Sequence, residues 1–184
     1  MKYFKPYIII IILLLLAGCN SEAKATDWHF GDALAARVKQ IKSTDKIIYM
    51  SSGTQYIIEP TQSDRQLTVA QLQFMNLEAS TLYMTVNRNT IILRDNDFIE
   101  YLPLNPFKNR TILSEITSVS EFSPFLWADG SEITPTIELP TTCGSEGDSC
   151  QIAGWIVFET PKSIQYNELI FDSADTIHMR FPVD

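Results

Sequence analysis

The stretch "LTVAQLQFMN", residues 67–76, decides how the chain folds. Its apolar residues alternate with polar ones, as a half-buried strand requires, and the apolar set switches parity between Val69 and Leu72. That switch predicts a strand carrying a bulge. The same period-two pattern recurs on both sides. "KIIYM" and "QYIIEP" flank the turn signal "SSGT", so a hairpin is expected there. "LYMTVNRN" alternates through Leu82, Met84 and Val86. "TIHMRFP" points Ile177, Met179 and Phe181 one way and His178 and Arg180 the other. "TIILRDND", "TILSEI", "PTIELP", "IAGWIVFE" and "NELIFD" add further short runs. Pro103 and Pro106 in "IEYLPLNP" forbid a central strand there. Many short strands separated by turn chemistry predict an all-β, antiparallel sandwich of about seven to nine strands, with an open barrel as the alternative. No period of 20 to 50 residues repeats, which argues against a propeller or solenoid. One segment departs from the pattern. In "FGDALAARVKQIKS", Leu34, Val38 and Ile41 fall at spacings of four and three, with Asp32 in front and Lys39 and Lys42 behind. This predicts one short helix over about 32–43.

The amino terminus has the composition of a secretory signal. Lys2 and Lys5 precede an apolar run from Tyr7 to Leu16, about half the length that a spanning helix needs. Leu16, Ala17, Gly18 and Cys19 then spell "LAGC", which resembles the bacterial lipobox. The resemblance implies removal of residues 1–18, a diacylglyceryl group on the Cys19 thiol, and acylation of the new amino terminus. Two or more acyl chains hold a protein stably at a bilayer where one does not. Asn20 and Ser21 follow the cysteine with no aspartate between, which resembles an outer-membrane address. The periplasmic and surface faces both remain open. Residues 19–27 read as a short polar tether, and 28–184 as one domain.

Removing residues 1–18 takes away two lysines and no acid. Twelve Lys+Arg then stand against 22 Asp+Glu, a net charge of −10. That balance argues against nucleic acid, whose binding needs a basic face, and against electrostatic attachment to anionic lipid. Solubility is its first meaning, and a basic protein partner its second. Beyond Cys19, the cysteines are Cys143 and Cys150, in "TTCGSEGDSC". An even pair in an oxidising compartment reads as a disulfide, worth about 2–3 kcal/mol for so short a loop in the chain-entropy model.

The order of elements carries a second resemblance. "LTVAQLQFMNLEASTLYMTVNRNTIILRDNDFIEYLP" and "IAGWIVFETPKSIQYNELIFD" resemble segments of telokin-like, immunoglobulin-like domains of bacterial exported proteins and lipoproteins, over about residues 65–184. The resemblance implies a sandwich with a structural role for the acid at Asp95, and no catalytic set. This chain departs from it by inserting residues 121–150 between the two segments.

Little in the sequence points to catalysis. The two histidines, His29 and His178, lack a nucleophile partner and are poor material for zinc. Seven glycines lie scattered with no phosphate-cradling loop, and no cofactor is expected. Asp95, Asp97 and Glu100 in "RDNDFIEY" offer hard oxygen ligands for calcium, but the glycine and final acid of an EF-hand loop are missing, and a solvated strand end is the plainer reading. Phe125, Leu126 and Trp127 in "SPFLWADGSEI" lie beside the expected disulfide, as anchors of a protein interface would; the plainer reading tucks the two rings into the core. The expectation is a non-enzymatic, lipid-anchored binding or structural module of the envelope. A glycan hydrolase using an unrecognised carboxylate pair, and a calcium- or small-ligand-binding lipoprotein, are the rival readings.

Overall fold

The computed structural model describes residues 25–77, 81–115, 117–119, 122–128, 136–139 and 151–182. Cys19, Cys143 and Cys150 lie outside the described residues. The described residues form fourteen strands and no helix. Those of the first half are β1 (His29–Phe30), β2 (Leu34–Thr44), β3 (Ile47–Ser51), β4 (Thr54–Ile58), β5 (Arg65–Asn76), β6 (Leu82–Thr85) and β7 (Ile91–Asp95). They are followed by β8 (Glu100–Tyr101), β9 (Pro103–Leu104), β10 (Thr111–Ile112), β11 (Thr136–Leu139), β12 (Gln151–Pro161), β13 (Tyr166–Asp172) and β14 (Thr176–Arg180). The number exceeds the expected seven to nine because several are two-residue edge pieces.

All the strand pairings are antiparallel. The main sheet runs β1-β2-β5-β12-β9, and a four-stranded sheet runs β14-β13-β7-β8. Two smaller units, β10-β4-β3 and β11-β6, complete the set. Pro103 sits in β9 at the edge of the main sheet, where its missing N–H costs no ladder bond. Between β3 and β4, Ser52 (φ 50°) and Gly53 (φ 78°) make a two-residue turn with both residues left-handed. This is the turn whose twist suits a hairpin.

The parity switch in residues 67–76 is real, but its cause is not the expected bulge. β5 pairs β12 in unbroken register from Arg65 to Met75. Leu67 and Val69 point to one face, where they join Ile47, Tyr49, Ile58, Trp155 and Val157. Ala70, Leu72 and Phe74 point to the other, into a larger core with Leu93, Phe158, Phe171 and Met179. The strand serves two cores, one on each face of the main sheet. The four-stranded sheet and the β6–β11 pair enclose the larger core; the β3–β4 hairpin folds over the smaller.

The expected helix over 32–43 is instead strand β2. Its register against β5 shifts between Val38 and Gln40, so the bulge lies here, with Lys39 as the extra residue. Leu34, Ala36 and Val38 alternate inward, and the bulge returns Ile41 to the same face one position late. A spacing of four followed by three therefore has two physical sources. One is a helical turn; the other is a strand with one inserted residue. Burial on both sides decides for the strand, since Leu34, Ala35 and Ala36 are all buried.

Candidate functional site

The aromatic segment offered as a candidate partner anchor, with burial of its two rings as the plainer reading, is part of the core. Phe125 is 7% exposed and Trp127 8%, and both belong to the larger cluster. Only Leu126, 56% exposed, faces solvent. The segment runs along the free edge of β12 beyond β9. Trp155 N donates to Ser123 O at 3.0 Å, and Pro124 bridges Trp155. It then crosses that edge. Phe122 packs on Tyr49 and Trp155 in the smaller core (5.3 and 6.3 Å between rings), whereas Phe125 packs on Phe74 in the larger (5.8 Å). An insertion that rounds a sheet edge has apolar surface to cover on both faces, and these rings cover it.

The calcium reading of Asp95 and Asp97 also gives way to structure. Asp95 is buried, and its carboxylate accepts from Asp97 N (3.0 Å), Ile99 N (2.8 Å) and Tyr101 Oη (2.8 Å). Its lone pairs are committed to closing the β7–β8 turn, while Asp97 points to solvent. No group of three or more His, Cys, Asp or Glu side chains among the described residues is placed to hold a metal. Tyr101 feels this turn strongly. Burial first, then the bond to Asp95 and its charge, push the phenol up to about 12. A folded value above the ordinary 10 means that the neutral phenol favours the fold. The associated stability is intact below pH 10 and lost as pH climbs from 10 through 12, a span of roughly 2–3 kcal/mol. Phenolate absorbance followed with denaturant melts should show Tyr101 ionising late and stability falling in that window.

His29 Nε2 accepts from Arg180 N at 3.4 Å, two residues from His178 on β14. His29 Nδ1 lies 2.9 Å from Asp27 O near the start of the described chain. His178 Nδ1 lies 3.1 Å from Glu168 Oε2 and belongs to a feature that the sequence did not disclose. Glu100, Arg94, Glu168 and Arg180 stand directly opposite one another on β8, β7, β13 and β14. Arg94 bridges Glu168 (2.5 Å) and Glu100 (2.6 Å), while Arg180 stands 3.9 Å from Glu168. This is a row of alternating charge across a whole sheet. Such cross-strand pairs steady a register. Linear spacing conceals the row, because only the register aligns it.

A roomy concavity with a consistent chemistry is a cleft of about 570 Å³ beside the β9 edge. The turn 87–90 forms one wall, the loop 105–109 the other, and Leu102, Leu104, Trp127 and Ala128 the floor. Its charged lining residues are Arg88 and Lys108, both exposed, with four asparagines between them. Asn87 Oδ1 is occupied by Asn89 N and Thr90 N, and Asn105 Oδ1 by Phe107 N. What those amides can offer a ligand is therefore the NH₂ donor. Two smaller hollows adjoin across Leu104, and both carry carboxylates: Glu100 and Glu159 in one, Glu59 in the other. Among the described residues, the lining of the main cleft has none. On a chain of net charge −8, it is a cationic, donor-rich recess in an acidic surface. The described residues thus form an all-β protein of antiparallel sheets, consistent with a β-sandwich, with one cationic, donor-rich recess beside a sheet edge. Sequence inspection missed it because Asn87, Lys108 and Trp127 lie on separate loops. Comparison with known protein families, curated proteins and solved structures finds no match for this chain.

Proposed function

We propose that this chain is a lipid-anchored, non-enzymatic binding module of the bacterial envelope, an immunoglobulin-like sandwich held at the membrane through Cys19. It engages a partner protein through the Arg88–Lys108 cleft. The observation that carries this reading is the cleft's lining, two cations and amide donors with no carboxylate among the described residues. Such a lining fits an acidic, polar segment of a partner and not a basic one. The overall acidity, which first suggested a basic partner, is thus set aside at this one place. Anchoring supports the reading as well, since it raises the effective concentration of the cleft near other envelope proteins. The sandwich with aromatic residues crossing its edge is compatible with the immunoglobulin-like arrangement, and the outer membrane is the favoured address.

The test is an affinity pull-down from detergent-solubilised envelope, comparing wild type with the Arg88→Glu/Lys108→Glu double variant. Both side chains are exposed, so the variant keeps its melting temperature. Recovery of a specific acidic partner should fall at least about tenfold, equivalent to ~1.4 kcal/mol. Equal recovery by both forms removes the cleft from the proposal. Glycan hydrolysis without a partner would favour the hydrolase, and calcium-dependent melting the calcium-binding lipoprotein.

A further inference from the structure

The β7–β8 turn holds two large apolar residues in water. Phe98 is 69% exposed and Ile99 53%. Phe98 also has φ 62°, a left-handed conformation that a bulky side chain rarely adopts. The turn is held closed from both sides. Phe98 N donates to Asp95 O (3.0 Å), Asp95 N donates to Ile99 O (3.1 Å), and the buried Asp95 carboxylate holds Asp97 N and Ile99 N. An exposed ring in a disfavoured conformation, fixed by a buried carboxylate, contributes nothing evident to the fold. Backbone strain of this kind is found where a site is pre-organised.

The path of the amino-terminal chain indicates what meets the turn. His29 and Phe30 pair Ala36 and Ala35, and Thr26 N donates to Val38 O. Residues 26–30 therefore run antiparallel to β2, and the chain, traced backwards, heads for the Thr44 end of that strand. At that end Ser43 Oγ lies 2.8 Å from Tyr166 Oη, and Tyr166 is the register partner of Asp95. Residues 26–30, traced backwards, and the Phe98–Ile99 turn are thus directed to the same end of the sandwich. The six residues 19–24 reach at most ~20 Å when extended, so lipid on Cys19 would hold that end close to the bilayer.

We propose that Phe98 and Ile99 enter the membrane surface beside the lipid anchor, as a second foothold that fixes the orientation of the domain. The inference rests on the lipid-anchor reading of Cys19. Two apolar side chains on a rigid turn reach the boundary between headgroups and acyl chains, as interfacial segments do. Asp97 beside them offers no attraction to anionic lipid, so the contact depends on apolar burial alone and is equal on zwitterionic and anionic vesicles.

The test uses the full lipidated mature chain, reconstituted into phosphatidylethanolamine–phosphatidylglycerol vesicles with and without brominated acyl chains. In Phe98→Trp, the emission added over wild type should shift to shorter wavelength and drop ~twofold with brominated lipid. Phe98→Gly, which suits the left-handed φ, should keep or raise the melting temperature. A position-98 indole that stays open to aqueous quenchers on a lipidated protein overturns this inference and leaves the anchor standing. A chain whose intact mass lacks lipid overturns both. Shielding that arises only when envelope proteins are added also overturns it, because the turn then faces a protein. A lowered melting temperature in Phe98→Gly would make the ring structural and refute the foothold.

Discussion

Trp127→Ala is expected to destabilise the domain by about 3–5 kcal/mol, the range for removing a buried large aromatic side chain. Trp127 is buried in the larger core with Phe125, and its backbone neighbour Ala128 donates to Val86 O at 2.8 Å. Truncation opens a void under the floor of the cleft that the β6 and β9 surroundings close only in part. Thermal melting of the mature chain should fall on the order of 10 °C for a domain of this size. The measurement separates the two readings of the aromatic segment. If melting is unchanged while a partner is lost, Trp127 is a surface anchor and the packing described above is wrong. Leu126→Ala is the internal control: its side chain is exposed, and its effect on melting should be small.

The second large effect is expected at Gly154. This residue lies mid-strand in β12, opposite Leu72, on the face that meets the larger core. The Phe125 ring sits flat against its Cα. A Cβ built there would stand 2.6 Å from Phe125 Cγ and 2.7 Å from both Cδ atoms. Those are atoms of one rigid ring in a packed interior, so no flexible end can give way. Gly154→Ala should cost about 1–3 kcal/mol, and larger side chains more. The cause can be isolated by a double-mutant cycle with Phe125→Ala. Once the ring is gone, Gly154→Ala should be nearly neutral, so the double variant should be no worse than Phe125→Ala alone. Additive losses would mean that the glycine is required for some reason other than the ring.

Together the two experiments ask whether residues 122–128 hold the two cores together at one sheet edge. If they do, the part of the insertion that follows strand β10 is structural before it is functional. Contact with a partner then falls to the cleft above Trp127, and contact with the membrane to the turn at Phe98.

The sequence by itself determined the all-β class, because period-two alternation survives wherever one face of a strand is buried and the other is wet. "TIHMRFP" is the clearest case: Ile177, Met179 and Phe181 are buried, while His178 and Arg180 are exposed. It also determined the β3–β4 hairpin from its turn chemistry and the edge position of Pro103. Tertiary structure alone decided the rest. A spacing of four and three in β2 is the same string of letters for a helix and for a bulged strand, and only pairing with β5 separates them. The parity switch in residues 67–76 records a sheet buried on both faces, and no local pattern says that a second layer exists. Phe125 and Trp127 could be read as anchors or as core, because hydrophobicity is visible in a sequence and its covering partner is not. Arg94 and Glu168 are 74 residues apart, as are the walls and floor of the cleft by lesser distances, and register and loop closure bring them together. Local residue types determine what a segment can be; long-range contacts, which carry most of the burial, decide which of those it is.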